Sequence, residues 1–279
     1  LHRVDRGQRQ MCIRDRYDSD YLHKSLADSK FDRVNIYDCT SQWGVFSIAG
    51  PNSRSFLKKI VVCEDPDKTL SNKEFPWLSY RDIEIGMCPV RALRVAYTGE
   101  LGWELHHPIE MQNYLLDILL SSGEEFNLKL VGARAQNWLR QEKSYKAFGS
   151  DLGRDAGPFE SNLSRFVDIN KNFLGKDALL KRKTDVSCIT LLIDGPKDID
   201  PWGREALYNE TEEVMLGRLT SAGYSVHFKR SIGIGYVKSS FSEVGTKLRI
   251  KIDDAFWNAE IVRDSPYDPQ NERIIDRAQ

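Results

Sequence analysis

The segment Tyr97–Glu104, YTGELGWE, carries the side chains best suited to bind a small polar ring. Two glycines flank a tight loop between two strand-like stretches, and glycine permits the sharp turns that such a loop needs. The loop would bring the phenol of Tyr97 and the carboxylate of Glu104 into one neighbourhood. A carboxylate accepts two N–H bonds from adjacent positions of an aminopyrimidine-like ring, while an aromatic side chain packs or hydrogen-bonds. The same pattern also fits an ordinary hairpin with a surface glutamate.

The other candidate residues offer weaker chemistry. His106 and His107 are adjacent on a strand-like stretch, where successive side chains point to opposite faces, so we do not expect them to share a metal ion. No CxxC pair or zinc-type histidine spacing accompanies the five cysteines, which we expect to be reduced thiols. These are Cys12, Cys39, Cys63, Cys88 and Cys188. The sequence therefore predicts no metal site.

The composition argues against highly charged partners. The chain has 279 residues, 41% of them hydrophobic, with 40 basic and 41 acidic side chains. Because the charges nearly cancel, we expect neither nucleic acid nor a membrane surface as a partner. No apolar run approaches the ~20 residues of a membrane-spanning helix. We expect a cytoplasmic or mitochondrial-matrix protein.

The elements that would position the motif predict an α+β fold in two domains. Residues 17–183 alternate strands and helices. From residue 184 to 279 the pattern changes to short strands separated by turns, which favours a small β-barrel or sandwich, and we predict a barrel. In the first domain we predict strands at Val45–Ala49 and Val90–Tyr97. We predict three helices: one at Arg54–Ile60, a second that ends at Gly123, and a third at about Ala133–Ala147.

Residues 1–16 look foreign to the rest of the chain. They are rich in arginine and glutamine and lack helical or strand periodicity. Gln8–Arg16 resembles a translated sequencing-library adapter. We therefore expect a non-native segment joined to a fragment whose upstream part is missing, with a disordered natural tail as the alternative.

The motif resembles the central motif of the glycine-cleavage T-protein family, and its Leu-Gly-Trp-Glu form is similar to the sarcosine and dimethylglycine dehydrogenase branch. Further segments resemble family elements in the same order along the chain, over roughly residues 33–275. They are Val45–Arg54, Phe173–Leu179, Gly217–Ser221, Ile234–Val237 and Ser265–Arg273. The order of several motifs makes the resemblance more specific than any one of them.

The resemblance implies that tetrahydrofolate is the cofactor and that Tyr97 and Glu104 contact its pteridine. The helix Gly132–Lys143 also resembles a family helix, which makes Arg134 and Glu142 further candidate cofactor-binding residues. For Glu142, a ligand role and a helix-packing role are equally open.

Two departures from the family pattern affect the site. Gln136 and Asn137 stand where classical T-proteins carry an Arg-Asp pair, and Arg134 is the nearby candidate substitute. The family's catalytic aspartate would lie upstream of the region of similarity, so no catalytic residue is assigned, and Asp38 resembles a different aspartate. Glu160 matches a Pro-x-Glu element, in which it would either face the cleft or anchor a loop.

The function implied by the resemblance is the tetrahydrofolate-binding portion of an FAD-dependent N-methyl amine dehydrogenase. In such enzymes a flavin domain oxidises the amine, and the folate domain captures the one-carbon unit as methylene-tetrahydrofolate. No dinucleotide-binding GxGxxG fingerprint occurs here, so FAD would belong to the missing upstream domain of the parent chain. The alternatives are a stand-alone aminomethyltransferase and a non-catalytic regulatory protein of the same fold.

Overall fold

The computed structural model describes residues 16–30, 33–195 and 199–276. The predicted foreign segment lies, apart from Arg16, outside the described residues. Residues 16–27 are helical and are termed α1.

A four-stranded antiparallel sheet and several helices form the first part of the described chain. The sheet order is β1-β4-β3-β2. Strands β2, β3 and β4 pair with their neighbours in sequence, whereas β1 pairs with β4. The strands are β1 Trp43–Ala49, β2 Tyr80–Ile85, β3 Cys88–Leu93 and β4 Gly102–Pro108. The helices are α2 Ser53–Ile60, α3 Pro66–Thr69, α4 Gln112–Gly123, α5 Ala133–Glu142 and α6 Lys176–Lys181.

One face of this sheet packs against helices and the other stays open. Along β4, Trp103, Leu105 and His107 are buried, whereas Glu104 and His106 between them are partly exposed. This alternation follows from the two-residue period of a strand. The buried face forms one core with Phe56 of α2 and residues of α4, and the open face carries Glu104.

Six strands of the second part close into a barrel in the order β10-β5-β8-β7-β6-β9. A second core of leucine, isoleucine and valine side chains fills its interior. The strands are β5 Val186–Ile193, β6 Ala206–Tyr208, β7 Met215–Ser225, β8 Arg230–Lys238, β9 Lys247–Ile252 and β10 Ala255–Val262, and a short helix follows, α7 Glu272–Ile275. The structure confirms the predicted α+β class with a C-terminal barrel.

Helix α5 packs against the barrel through a buried polar network. The Arg140 guanidinium donates to Asp151 at 2.7 Å, to Ser221 of β7 at 2.7 Å and to Asn137 at 2.8 Å. Asp151 also accepts from the hydroxyl of Thr220 at 2.6 Å. Because each of these partners is satisfied, the ion pair tolerates its burial.

Several predicted boundaries are wrong for local reasons. Strand β3 ends at Leu93 rather than at Tyr97, because its pairing with β4 stops at Leu93 and Glu104. The Arg94 side chain continues the inward alternation and donates to the Phe75 carbonyl at 2.7 Å. Helix α5 ends at Glu142 rather than near Ala147, and Ser144 adopts a left-handed φ of 53°. The polar segment between Glu64 and Asn72, for which no element was predicted, contains the short helix α3.

The barrel contains one strand that the sequence did not indicate. Strand β6 has three residues, which is too short to show a period. The aromatic side chains of this part that are only half-buried include Tyr224, Phe228, Tyr236 and Trp257. Over the described ranges, the helices are too short or too polar to cross a membrane.

Candidate functional site

Burial separates the residues of the motif into two groups. Leu101 and Trp103 are buried in the core beneath the sheet. Gly102 lies so close to β1 that a Cβ atom would stand 2.6 Å from the Ile48 carbonyl oxygen, so no larger residue fits. These positions build the hairpin.

The middle of the loop is also occupied by contacts within the protein. Gly99 has a φ of +80°, and a Cβ atom there would lie 2.2 Å from Cγ of Lys143. The Glu100 carboxylate accepts the Tyr267 hydroxyl from the C-terminal segment. Thr98 lines a cavity, and its buried Oγ1 has no hydrogen-bond partner among the described residues. Tyr97 and Glu104 are the more exposed polar side chains at the two ends of the motif.

Tyr97 is held by a neighbouring aromatic ring. Its ring stacks on Tyr145 with centroids 5.9 Å apart and an angle of 17° between the planes. Its hydroxyl donates to the Lys146 carbonyl at 3.0 Å, and the side chain keeps partial exposure. Burial raises the pKa of Tyr97, against a smaller lowering by Arg140, so the phenol is protonated at neutral pH.

Glu104 projects from the open face of the sheet. It pairs with Ser47 across β1 and with Leu93 across β3, four residues before Tyr97. Its Oε2 lies 3.2 Å from Nε2 of His106 on the same face. Among the described residues no hydrogen-bond donor reaches its Oε1, which leaves this oxygen available to a ligand.

Arg134 lies at the junction between α5 and the barrel. Its guanidinium pairs with Asp200 and lies over the rings of Trp138 and Trp202, at 5.1 and 5.7 Å from their centroids. The side chain is exposed, and these partners belong to α5 and to the loop before β6. Its role in binding cofactor stays a prediction.

Glu142 is buried and engaged within the protein. Its carboxylate accepts the Ser225 hydroxyl and the His227 backbone N–H, the latter at 3.2 Å, where β7 turns into β8. These contacts join the end of α5 to a barrel hairpin. The ligand role for Glu142 remains a prediction alongside this structural one.

The remaining sequence candidates take local roles. Glu160 is buried, accepts the Thr184 hydroxyl at 2.6 Å and forms an ion pair with Arg182 at 3.2 Å, which anchors its loop. Asp38 accepts the Thr40 N–H at 2.9 Å in an exposed turn. Gln136 lines a 620 Å³ cavity that lies on the side of β1 carrying Phe46.

His106, a weaker candidate of the sequence analysis, lies on the face of Glu104, as the strand period requires. Two other residues near the motif were not foreseen. Tyr145 and Lys143 follow the end of α5, and no sequence pattern indicates that the chain there folds back on the loop.

The described residues contain no cluster of three or more His, Cys, Asp or Glu side chains arranged to hold a metal ion. The predicted lack of a metal site stays a prediction.

The side-chain groups of Tyr97 and Glu104 fit a reduced pterin. The pteridine of tetrahydrofolate presents adjacent N–H donors at its aminopyrimidine edge, and a carboxylate oxygen without an internal partner matches them. The stack of Tyr97 on Tyr145 offers a partly exposed aromatic surface at the other end of the motif.

Comparison with known families assigns both parts of the chain. The family model described as the GCVT N-terminal domain matches residues 11–171. The model described as the glycine cleavage T-protein C-terminal barrel domain matches residues 187–268. The chain belongs to the glycine cleavage T-protein family, as the motif order predicted.

Individual relatives include both dehydrogenases and an aminomethyltransferase. Human dimethylglycine dehydrogenase is 34% identical over 89% of this chain and 28% of its own length. Mouse sarcosine dehydrogenase is 28% identical over 91% of this chain and 28% of its own length. The chain thus spans little more than a quarter of these dehydrogenases.

A solved structure shares the fold. The glycine cleavage system aminomethyltransferase T from Bartonella henselae superposes with a TM-score of 0.67 at 20% identity, over 81% of this chain and 60% of that one. This likeness supports the α+β first part and the closed barrel.

Proposed function

We propose that this chain is the tetrahydrofolate-binding portion of an FAD-dependent N-methyl amine dehydrogenase of the dimethylglycine or sarcosine type. One observation carries the proposal. Glu104 presents a carboxylate from the open sheet face, with Oε1 unpartnered among the described residues, at the end of the motif that begins with Tyr97. The family membership points to the same ligand.

The residues of the chain bind and orient the cofactor. Glu104 accepts N–H bonds from the pterin, and the Tyr97 ring, braced by Tyr145, packs beside it. Tetrahydrofolate itself supplies the two nitrogens that take up the one-carbon unit. Fixing the pterin orients those nitrogens, which is the entropic contribution that a binding domain makes to transfer. No catalytic acid or base is assigned to this chain.

The amine oxidation belongs to another part of the parent protein. The flavin and the N-methyl amine would bind there, and the oxidised product would reach the folate site of this chain. The relatives named as mitochondrial favour the mitochondrial matrix, with the cytoplasm as the alternative. Gln136 and Asn137, in place of the Arg-Asp pair of classical T-proteins, favour the dehydrogenase branch over a stand-alone aminomethyltransferase.

Titration calorimetry with tetrahydrofolate tests the proposal. We expect the unmodified chain to bind, and Glu104→Gln to bind about ten- to hundredfold more weakly, because the amide loses the charge-assisted bonds. Glu260→Gln, on an exposed position of β10, is the matched control and should bind like the unmodified chain. A folded chain that binds no tetrahydrofolate, or equal affinity for both variants, would contradict the proposal.

A further inference from the structure

The C-terminal segment returns from the barrel to the motif. Residues 264–276 follow strand β10, and we call them the strap. Near its start, the Ser265 N–H donates to the Ser144 hydroxyl at 2.8 Å, and the Tyr267 N–H donates to the Glu142 carbonyl at 3.0 Å. The strap therefore runs along the residues that end α5.

Lys143 connects the strap to Gly99 of the motif. The Lys143 side chain is buried, and its ammonium donates to the Asp268 carbonyl at 2.6 Å and to Oδ1 of Asn271 at 2.8 Å. Its aliphatic stem packs directly on Gly99. The strap thus fixes the ammonium, and the stem fixes the loop.

Tyr267 connects the strap to the next residue of the motif. Its ring is buried, its hydroxyl donates to the Glu100 carboxylate, and Arg273 reaches the same oxygen at 3.3 Å. The Arg273 guanidinium also lies over the Tyr267 ring, 5.2 Å from its centroid. Two neighbouring motif residues therefore depend on the strap.

The end of the strap is anchored beneath the hairpin. Arg94 donates to the Ile275 carbonyl at 2.7 Å, and Arg54 bonds to the Asp276 carboxylate at 3.1 Å. Both guanidiniums lie over the Trp103 ring, at 5.8 and 5.6 Å from its centroid. The strap is consequently fixed to the core at one end and to α5 at the other.

The loop itself has little backbone support. Strand β3 ends at Leu93 and β4 begins at Gly102. Within the part of the chain that the structure describes, the backbone groups of residues 96–100 make no ladder or turn hydrogen bonds. Side-chain contacts must therefore hold the loop in place, and those to Gly99 and Glu100 come from Lys143 and the strap.

We propose that the strap is a positioning element for the pterin-binding loop, with Tyr267 and Lys143 as its positioning residues. By fixing Gly99 and Glu100, they set the separation of Tyr97 and Glu104 at the two ends of the motif. The proposal rests on the proposed function for its ligand, and it assigns these residues no contact with tetrahydrofolate.

Tyr267→Phe is the primary test, because it removes the hydroxyl and keeps the ring. We expect hydrogen–deuterium exchange of the Gly50 amide, measured without ligand, to become at least about tenfold faster, since loss of one charge-assisted bond corresponds to that factor. The Gly50 N–H donates to the Leu101 carbonyl at 2.8 Å where the loop joins β4, so we call its rate the loop exchange. Tetrahydrofolate affinity should fall about tenfold. Tyr224→Phe, a tyrosine in β7 outside the loop and the strap, is the matched control and should change neither quantity.

Glu100 supplies the rescue test. Glu100→Ala should weaken binding like Tyr267→Phe, whereas Glu100→Gln retains an oxygen that accepts the Tyr267 hydroxyl and should recover most of the affinity. A role in overall stability alone would show as a lower melting temperature without a selective change in loop exchange or in affinity.

The outcomes distinguish this inference from the proposed function. Unchanged loop exchange in Tyr267→Phe overturns the positioning role whether or not the chain binds folate. Faster loop exchange in Tyr267→Phe also overturns the positioning role if the variant binds tetrahydrofolate as tightly as the unmodified chain does. Absence of binding to the unmodified chain, together with faster exchange in Tyr267→Phe, removes the proposed function and leaves the strap's hold on the loop supported.

Discussion

The Tyr97 hydroxyl and ring have different partners, and this difference bears on how the residue would bind a pterin. The hydroxyl donates to the Lys146 carbonyl at 3.0 Å, whereas the ring stacks on Tyr145. A hydroxyl already used within the protein has little left to offer a ligand. The contribution of Tyr97 should therefore come from its ring.

Substitutions at Tyr97 test this division. We expect Tyr97→Phe to change tetrahydrofolate affinity by less than about threefold, and Tyr97→Ala to reduce it by about tenfold or more, because aromatic packing accounts for roughly 0.5–1.5 kcal/mol beyond the area buried. Calorimetric titration of both variants gives the comparison. Equal losses for Phe and Ala would show that the hydroxyl, not the ring, contacts the ligand.

Cys188 gives a prediction about pH and stability. Burial in the barrel raises the pKa of this thiol to about 12, from 9.0 in the unfolded chain, with Lys146 acting weakly in the opposite direction. Between these values the unfolded state releases the proton and the folded state keeps it. Stability from this group is therefore fully present below pH 9 and falls as the pH rises towards 12.

The magnitude follows from the linkage relation. At pH 10 the thiol should cost the unmodified chain on the order of 1 kcal/mol of unfolding free energy relative to its value well below pH 9. Between pH 8 and pH 10, Cys188→Ala should therefore lose less unfolding free energy than the unmodified chain, by the amount that the thiol costs. Urea unfolding at pH 8 and pH 10 measures both chains, and parallel losses would contradict the assigned cause.

At the scale of elements, the packing of α5 on β7 requires a glycine. A Cβ atom at Gly223 would lie 2.1 Å from Cδ1 and 2.3 Å from Nε1 of the Trp138 indole, a large and rigid side chain. Trp138 also meets Tyr224 edge-on, with centroids 6.5 Å apart. This packing holds α5, whose C-terminal end contacts the motif through Lys143.

Gly223→Ala should consequently destabilise the protein. We expect a loss of about 1–3 kcal/mol in unfolding free energy, the usual cost of overpacking a filled interior. Urea unfolding provides the measurement. Gly153→Ala, where a Cβ atom would meet nothing within 4 Å, is the control and should stay within about 0.5 kcal/mol of the unmodified chain.

At the scale of the whole molecule, several connections join the first part to the barrel, among them the Arg140–Asp151 network, the Glu142 contacts and the strap. We propose that the domain boundary lies near residue 184, between α6, which ends at Lys181, and β5, which begins at Val186. The connections cross this boundary, so the two domains should unfold together.

Breaking the buried ion pair tests the coupling. Asp151→Ala leaves the Arg140 charge buried without a carboxylate, and we expect a loss of about 3–5 kcal/mol in unfolding free energy. Asp254→Ala, in the exposed turn between β9 and β10, is the control. Unfolding followed by both tryptophan fluorescence and far-ultraviolet circular dichroism gives the value, and a loss below 1 kcal/mol would show that the network contributes little.

Much of the architecture could be predicted from the sequence, because strands and helices leave periodic signals. The two-residue alternation along β4 determined which side chains face the core and which face outwards, and the short strands after residue 184 indicated the barrel. The chemical pairing of Tyr97 with Glu104 also came from residue types and a resemblance in motif order, both of which are local properties of the chain.

Only the tertiary structure decided what surrounds the motif. Glu100 and Tyr267, which are hydrogen-bonded, lie 167 positions apart in the sequence, and no periodic pattern links residues at such a separation. Helix α5 ended earlier than its apolar spacing indicated, because Ser144 takes a left-handed conformation that turns the chain towards the strap. The sequence by itself determined which residues could bind a pterin, whereas long-range packing of Lys143 and Tyr267 decided how the loop that carries them is held.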